Sequence, residues 1–186
     1  MTKVHDTIIN GIDISKLTRL VESIKEDPAR GQSRFGVTTR WLNGARTATK
    51  VDGWELGGRR IPKDFTINID EPEELCGTNT QANPQEYLFA AMNACLAATY
   101  VAVCAVNGIE LESLEIETTG EIDLRGFLAI DARVPAGYEQ VQYTVRIKGS
   151  GTPEQFEQIH RHVMATSPNY YNINRPIALA PRLVVV

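Results

Sequence analysis

The sequence contains few cysteines and no cluster of basic residues. Its three cysteines include no CxxC pair, which fits neither a disulfide framework nor a zinc ribbon. Free thiols in a reducing cytoplasm are therefore expected. The lysines and arginines are scattered and the formal net charge is −4, so nucleic acid is not an expected partner. The first residues lack a basic segment followed by an apolar core, so no secretory signal is expected.

Charge is also missing from residues 87–106, a run as long as the roughly 20 apolar residues that cross a bilayer. Three features argue against a membrane span. Alanine contributes little transfer energy, Asn93 interrupts the run, and no lysine or arginine flanks it. We therefore expect a core helix that is buried on all sides, and no membrane partner.

The ends of this run carry helix signals. Asn83 suits the N-cap, Pro84 suits the first helical position, and Glu86 is placed to close a capping box. Gly108 is suited to end the helix. Its many alanines would allow a second helix or a sheet to approach closely.

Earlier in the chain, apolar residues at helical spacing predict an amphipathic helix that stops at Pro28. These residues are Ile14, Leu17, Leu20, Val21 and Ile24. This helix is expected to be a separate N-terminal extension over residues 1–30, followed by one domain over residues 31–186.

Strand patterns lie on both sides of the long helix. Before it come "FGVTTRWL", "RTATKV" and "DFTINID", separated by "NG", "DG" and "GG", which are typical of hairpin turns. After it come "LESLEIETTGEIDL" and "YEQVQYTVRIKG", a helix in "TPEQFEQIHRHVMATSP", and a closing strand "IALAPRLVVV" whose Pro181 favours a sheet edge. The order predicts an α+β fold.

Several segments, in order, resemble one family. They are "NPQEYLFAAMNACLAA", "NGIELESLEIETTGEIDLRG", "VPAGYEQVQYTVRIKGSGTPEQFEQI" and "MATSPN". They look like the osmotically inducible protein C and organic hydroperoxide resistance (OsmC/Ohr) family, from about Phe35 to the C-terminus. The resemblance implies antiparallel sheets around a long central helix in an intertwined homodimer.

The resemblance also implies chemistry. Members with established activity reduce peroxides through a thiol in the long helix, and a second cysteine in a "CP" step resolves the oxidised thiol as a disulfide. Cys95 falls at the position of the reactive thiol, whereas the "CP" step is Ser167-Pro168 in this chain. A hydroxyl cannot form a disulfide, so an external thiol would have to act as reductant.

In the family, a glutamate and an arginine orient and activate the thiolate. The glutamate position holds Gln85 here, with Glu86 beside it, and Arg40 and Arg46 are candidates for the arginine. Because Cys95 lies near the middle of the predicted helix, free amides and the helix dipole give it no help. A cation from elsewhere in the protein must therefore stabilise its thiolate.

The other cysteines have different expected roles. Cys104 lies nine residues after Cys95, about 13.5 Å along a helix, which is too far for a disulfide, so we assign it to the core. Cys76 precedes the helix and is either an incidental loop cysteine or a resolving thiol. Tyr170 and Tyr171, close to Ser167, predict either a pocket wall or a packed interface. The candidate substrate-pocket residues are Ser167, Tyr170 and Gln85. The histidines do not share a helix face, and we expect no metal or other cofactor.

Two functions remain open. One is a peroxidase that reduces an organic hydroperoxide with Cys95 alone and an external thiol. The other is a non-catalytic dimer that binds a small hydrophobic ligand in the cleft between its subunits.

Overall fold

The computed structural model describes residues 8–186, which form two compact units, one up to Ala90 and one from Ala91 onward. The first unit contains β1 (Ile8–Ile9), β2 (Ile12–Asp13), α1 (Ile14–Glu26), β3 (Ser33–Phe35), β4 (Thr38–Asn43), β5 (Arg46–Leu56) and β6 (Arg59–Ile69). Helix α2 (Pro84–Val106) begins in it and continues into the second unit. There follow β7 (Leu111–Gly120), α3 (Leu124–Phe127), β8 (Val141–Gly149), α4 (Pro153–Thr166) and α5 (Pro168–Asn174).

The sheet of the first unit is antiparallel, with β5 in its centre. Strands β3 and β4 pair successive parts of one side of β5, and β6 pairs the other side. Gly44 and Gly58 have left-handed φ angles of 56° and 75° in the connections before β5 and β6. The predicted turns at "NG" and "GG" are therefore present.

The predicted turn at "DG" is wrong, because Asp52 and Gly53 lie inside β5. The ladder shifts register between Val51 and Gly53, and Gly53 has a φ of 140°. A Cβ at this glycine would lie 2.4 Å from the carbonyl oxygen of Ile61. Glycine here permits a bulge within a continuous strand rather than a chain reversal.

One face of this sheet is apolar and open in the single chain. Cross-strand rows place Trp41 beside Thr47 and Ile69, and Val51 beside Phe65. The Trp41 and Phe65 side chains remain 72% and 63% exposed. These two aromatic side chains give the face an exposed apolar surface.

Helix α1 follows the predicted position. The Asp13 carboxylate caps it by accepting from Lys16 N at 2.8 Å, and it ends before Pro28 because the residue preceding a proline disfavours helical backbone. None of its residues is buried, and Leu20 and Val21 on its apolar stripe are exposed. The first seven residues of the expected extension lie outside the described residues.

The core of the second unit lies between α2, α4 and the inner face of the β7–β8 sheet. It contains Met92, Leu96, Tyr100, Cys104, Ile109, Ile159 and Val163. The i, i+4 spacing of the α2 members makes one buried stripe. The expectation that α2 is buried on all sides is wrong for the single chain, because Ala90, Ala91, Ala94 and Ala98 are exposed.

By length and composition alone, α2 could cross a membrane. Its buried stripe packs against α4 and alternate residues of β7 and β8, which is the environment of a core helix. Helix α4 begins with a capping box between Thr152 and Gln155.

The C-terminal segment departs from prediction. Residues 177–186 form no strand, and their aliphatic side chains are exposed, with Leu179 at 85% and Leu183 at 87%. A strand exists only where a neighbour satisfies its backbone groups, and none of the described strands pairs with this segment.

Candidate thiol site

The Cys95 sulfur accepts a hydrogen bond from a side chain in the second unit. The Ser167 hydroxyl donates to Cys95 Sγ at 3.4 Å. Ser167 is buried at 1% exposure and Cys95 is half-buried. Because the burial of Cys95 is only partial, a small reactant can reach its sulfur.

The local backbone leaves this hydroxyl available. Ser167 joins α4 to α5, and its N–H donates to Val163 O at 2.8 Å at the end of α4. It is also the N-cap of α5, yet its side chain makes no capping hydrogen bond. A capping side chain would accept from an N–H in the first turn of α5. The Ser167 hydroxyl instead donates to the sulfur of Cys95.

Two asparagines fix the helix around Cys95. Asn169 Nδ2 donates to Ala91 O at 2.8 Å, one turn before the cysteine. On the β7 side, Asn93 Nδ2 donates to Ile116 O at 3.1 Å, and Thr118 Oγ1 donates to Asn93 Oδ1 at 2.6 Å. The sequence did not predict these hydrogen bonds for either asparagine. A lone amide within an apolar helix is the signal that could have indicated Asn93.

Aromatic side chains lie near the hydroxyl in sequence. The Tyr170 ring packs edge-on against Tyr143, with centroids 6.4 Å apart. Burial, with a smaller contribution from Tyr170, raises the pKa of Tyr143. Tyr170 is itself half-buried, three residues after Ser167.

Glu86 is occupied by its helix cap. Its Oε2 accepts from Asn83 N at 2.8 Å, and its own N–H donates to Asn83 Oδ1 at 2.9 Å. The predicted capping box is therefore present, and neighbouring Gln85 is exposed. These residues belong to the first unit.

Arg40 and Arg46 also belong to the first unit. Arg40 lies opposite Ala48 in the β4–β5 ladder, and Arg46 lies opposite Asn43. Both side chains are exposed. Because Arg46 and Ala48 are two residues apart on one strand, both arginines project from the same sheet face.

Cys76 lies in a loop organised by a buried carboxylate. Asp70, at 0% exposure, accepts hydrogen bonds from the backbone and hydroxyl groups of Thr78 and Thr80, the shortest being 2.6 Å from Thr78 Oγ1. These bonds, that of the Thr78 hydroxyl foremost, hold the pKa of Asp70 well below its usual range. Cys76 itself is exposed, with a left-handed φ of 62°.

Cys104 lies in the apolar core at 0% exposure, as predicted, and burial raises its pKa. Within residues 8–186, no cluster of three histidine, cysteine or acidic side chains could hold a metal ion. Of the predicted site residues, the second unit thus brings together Cys95 and Ser167, with Tyr170 on the following turn.

Comparison with protein-family models decides the family. Residues 77–181 match the model for OsmC-like protein, which is more than half of the chain. The chain belongs to the OsmC-like protein family. The comparison with curated protein sequences gives no match.

Solved structures share the OsmC-like fold. An OsmC-like protein from Mycoplasma pneumoniae aligns with a TM-score of 0.60 at 15% identity, over 76% of this chain and 87% of that one. An OsmC-like protein of unknown function from Vibrio cholerae O1 biovar eltor aligns with a TM-score of 0.55 at 13% identity, over 75% of this chain and 93% of that one. The predicted α+β arrangement of antiparallel sheets and helices is confirmed.

Proposed function

We propose that this OsmC-like protein is a cysteine-based peroxidase that reduces organic hydroperoxides with an external thiol. The observation that carries the proposal is the Ser167 hydroxyl donating to Cys95 Sγ at 3.4 Å. A buried donor directed at a half-buried sulfur is suited to stabilising a thiolate nucleophile.

The reaction has three steps. The Cys95 thiolate attacks the distal peroxide oxygen, which breaks the O–O bond and releases an alkoxide that takes up a proton to become an alcohol. The resulting sulfenic acid condenses with one external thiol, forming a mixed disulfide and water. A second external thiol attacks that disulfide, which releases the oxidised thiol pair and restores Cys95.

Residues of the first unit complete the proposal. Arg40 and Arg46 are the candidates for a cation that stabilises the thiolate. Glu86 is the candidate acidic group, although its cap already uses both a carboxylate oxygen and its N–H. Cys76, exposed in its loop, is the less favoured route for resolving the sulfenic acid.

The proposed working form is a homodimer in the cytoplasm. Two exposed surfaces support it: the alanine face of α2 and the aromatic face of the first sheet. All three cysteines are free, which suits a reducing compartment. Residues 31–186 would form the family domain, with residues 1–30 as an addition to it.

The alternative is a dimer that binds a small hydrophobic ligand between its subunits without catalysis. The serine at position 167 favours this alternative, because the side chain that contacts Cys95 there has no sulfur to resolve an oxidised thiol. In that case Cys95 would only line the ligand cleft.

One experiment separates the two functions. Cumene hydroperoxide is added in stoichiometric amount to the protein, and loss of the thiol and formation of a sulfenic adduct are followed by mass spectrometry. The peroxidase should consume Cys95 within seconds, and Cys95→Ser should abolish the reaction, whereas Cys104→Ser should retain it. If wild type ignores the peroxide while remaining folded, the ligand-binding dimer replaces the enzyme.

A further inference from the structure

The second unit contains a cleft that the thiol site does not use. Its volume is about 720 Å³, within the range of about 300–1,000 Å³ that is typical of small-molecule sites. Its lining includes Tyr100, Tyr143, Ile147, Phe156, His160 and Arg161. One part of the wall is therefore aromatic and aliphatic, while α4 supplies hydrogen-bond donors.

A buried hydrogen bond sets the orientation of His160. The Tyr100 hydroxyl, on a side chain only 2% exposed, contacts His160 Nδ1, and the two rings stack with centroids 6.1 Å apart. Burial raises the pKa of Tyr100, so the phenol keeps its proton at neutral pH. Within residues 8–186, His160 Nδ1 is the one hydrogen-bond partner of this hydroxyl. In the tautomer in which the phenol donates to Nδ1, the imidazole carries its own hydrogen on Nε2.

Arg161 adds a cation to the lining of the same cleft. Its guanidinium lies 3.9 Å from the Glu157 carboxylate, beyond hydrogen-bond distance, and both side chains are more than half exposed. A loose contact of this kind leaves guanidinium N–H groups for a planar anionic group, and a carboxylate matches their geometry. Glu157 is then a competitor for the same cation.

We propose that this cleft binds a small monocarboxylic acid with an apolar body. Its carboxylate meets His160 Nε2–H and Arg161, and its body lies against Phe156 and Ile147. The proposal does not depend on Cys95 being catalytic.

Three ligands with the same alkyl chain and different head groups test whether the cleft prefers a carboxylate. Decanoate, decanol and decylamine, all below their aggregation limits, are titrated against the full chain and followed by NMR of ¹⁵N-labelled protein. Decanoate should give saturable shifts centred on Phe156 and His160, with binding at least about tenfold tighter than decanol, the scale of one charge-assisted hydrogen bond. Decylamine should bind more weakly than either.

Variants on α4 make the test specific. Arg161→Gln should weaken the binding of decanoate about tenfold and leave the affinity for decanol unchanged. Glu157→Gln should tighten the binding of decanoate, because it removes the carboxylate that competes for Arg161. Arg146→Gln is the matched control, since Arg146 pairs with Glu115 and Glu117 on β7. Three outcomes would each overturn the proposal. They are equal affinity for the three ligands, chemical-shift changes that do not saturate with decanoate, and unchanged decanoate binding in Arg161→Gln.

Discussion

Ser167 Oγ donates a hydrogen bond to Cys95 Sγ across 3.4 Å, joining the start of α5 to the middle of α2. The two side chains are close enough for a sulfur at position 167 to bond to Cys95, yet oxygen cannot form that bond. In the proposed reaction, the same hydroxyl stabilises the nucleophile and leaves its oxidised form without an internal partner. That combination makes the proposed enzyme dependent on an external reductant.

Replacing the hydroxyl by a thiol should supply the internal partner. Ser167→Cys should form a disulfide with Cys95 after one equivalent of peroxide, because side chains in contact across this distance are within reach of disulfide geometry. Non-reducing mass spectrometry should find the crosslink between positions 95 and 167, which disappears in the double variant Cys95→Ser, Ser167→Cys. Excess peroxide should overoxidise Cys95 in wild type but not in the single variant. An introduced thiol that stays reduced while Cys95 is oxidised would contradict this geometry.

Removing the donor should slow the first step. Ser167→Ala deletes one hydrogen bond to sulfur, and a loss of about 1 kcal/mol corresponds to roughly a fivefold slower reaction of Cys95 with peroxide. Stopped-flow measurement of thiol loss gives this rate. Thr166→Ala is a suitable control, because the Thr166 hydroxyl donates to His162 O at 2.8 Å instead. Equal rates for Ser167→Ala and wild type would remove the hydroxyl from the mechanism.

Two substitutions on α2 should distinguish its faces. Ala98→Leu enlarges a side chain on the exposed face, so it should weaken the proposed dimer by about 1–3 kcal/mol through overpacking. Leu96→Ala empties a fully buried position and should lower the free energy of unfolding by about 2–5 kcal/mol. Sedimentation across a concentration series measures the association of Ala98→Leu. Denaturant unfolding measures the stability of Leu96→Ala. Unchanged association of Ala98→Leu would place the contact elsewhere.

Asp70 should make stability depend on acid pH. Because its folded pKa lies below the unfolded value of about 3.9, its ionised form stabilises the fold above that pH, and the stabilisation is lost as pH falls through the folded pKa. Asp70→Asn should therefore be less stable than wild type at pH 7, with the difference shrinking below about pH 4. Chemical denaturation between pH 2 and 7 measures this. Asp64→Asn, at a carboxylate 86% exposed, should show little of the effect.

Helix ends and hairpin turns were predictable because their signals are local. The capping box at Asn83 depends on side chains three residues apart, and it occurs as predicted. The "DG" pair shows the limit of such signals. Whether Gly53 reverses the chain or forms a bulge depends on the close approach of Ile61 from β6, which local sequence does not specify.

Burial and the thiol site were less predictable because they depend on the chain's neighbours. The apolar run 87–106 predicts a helix, but only packing shows that Met92 and Leu96 face the core while Ala94 and Ala98 do not. Cys95 was predicted as the reactive thiol from the family resemblance and not from a local pattern. The hydrogen bond from Ser167 joins residues 72 apart in sequence, so no periodic pattern could indicate it.

The exposed segment 177–186 bears on how a new chain survives until it assembles. In the proposed dimer, these exposed aliphatic side chains put a newly synthesised subunit at risk of aggregation until it pairs, because an apolar segment can add to the edge of a sheet. Pro181 and Arg182 interrupt the segment with a residue that lacks a backbone donor and a residue that carries charge. Such gatekeepers oppose indiscriminate strand stacking and still permit one matched partner to bind, so the tail carries its own protection during the interval between synthesis and pairing.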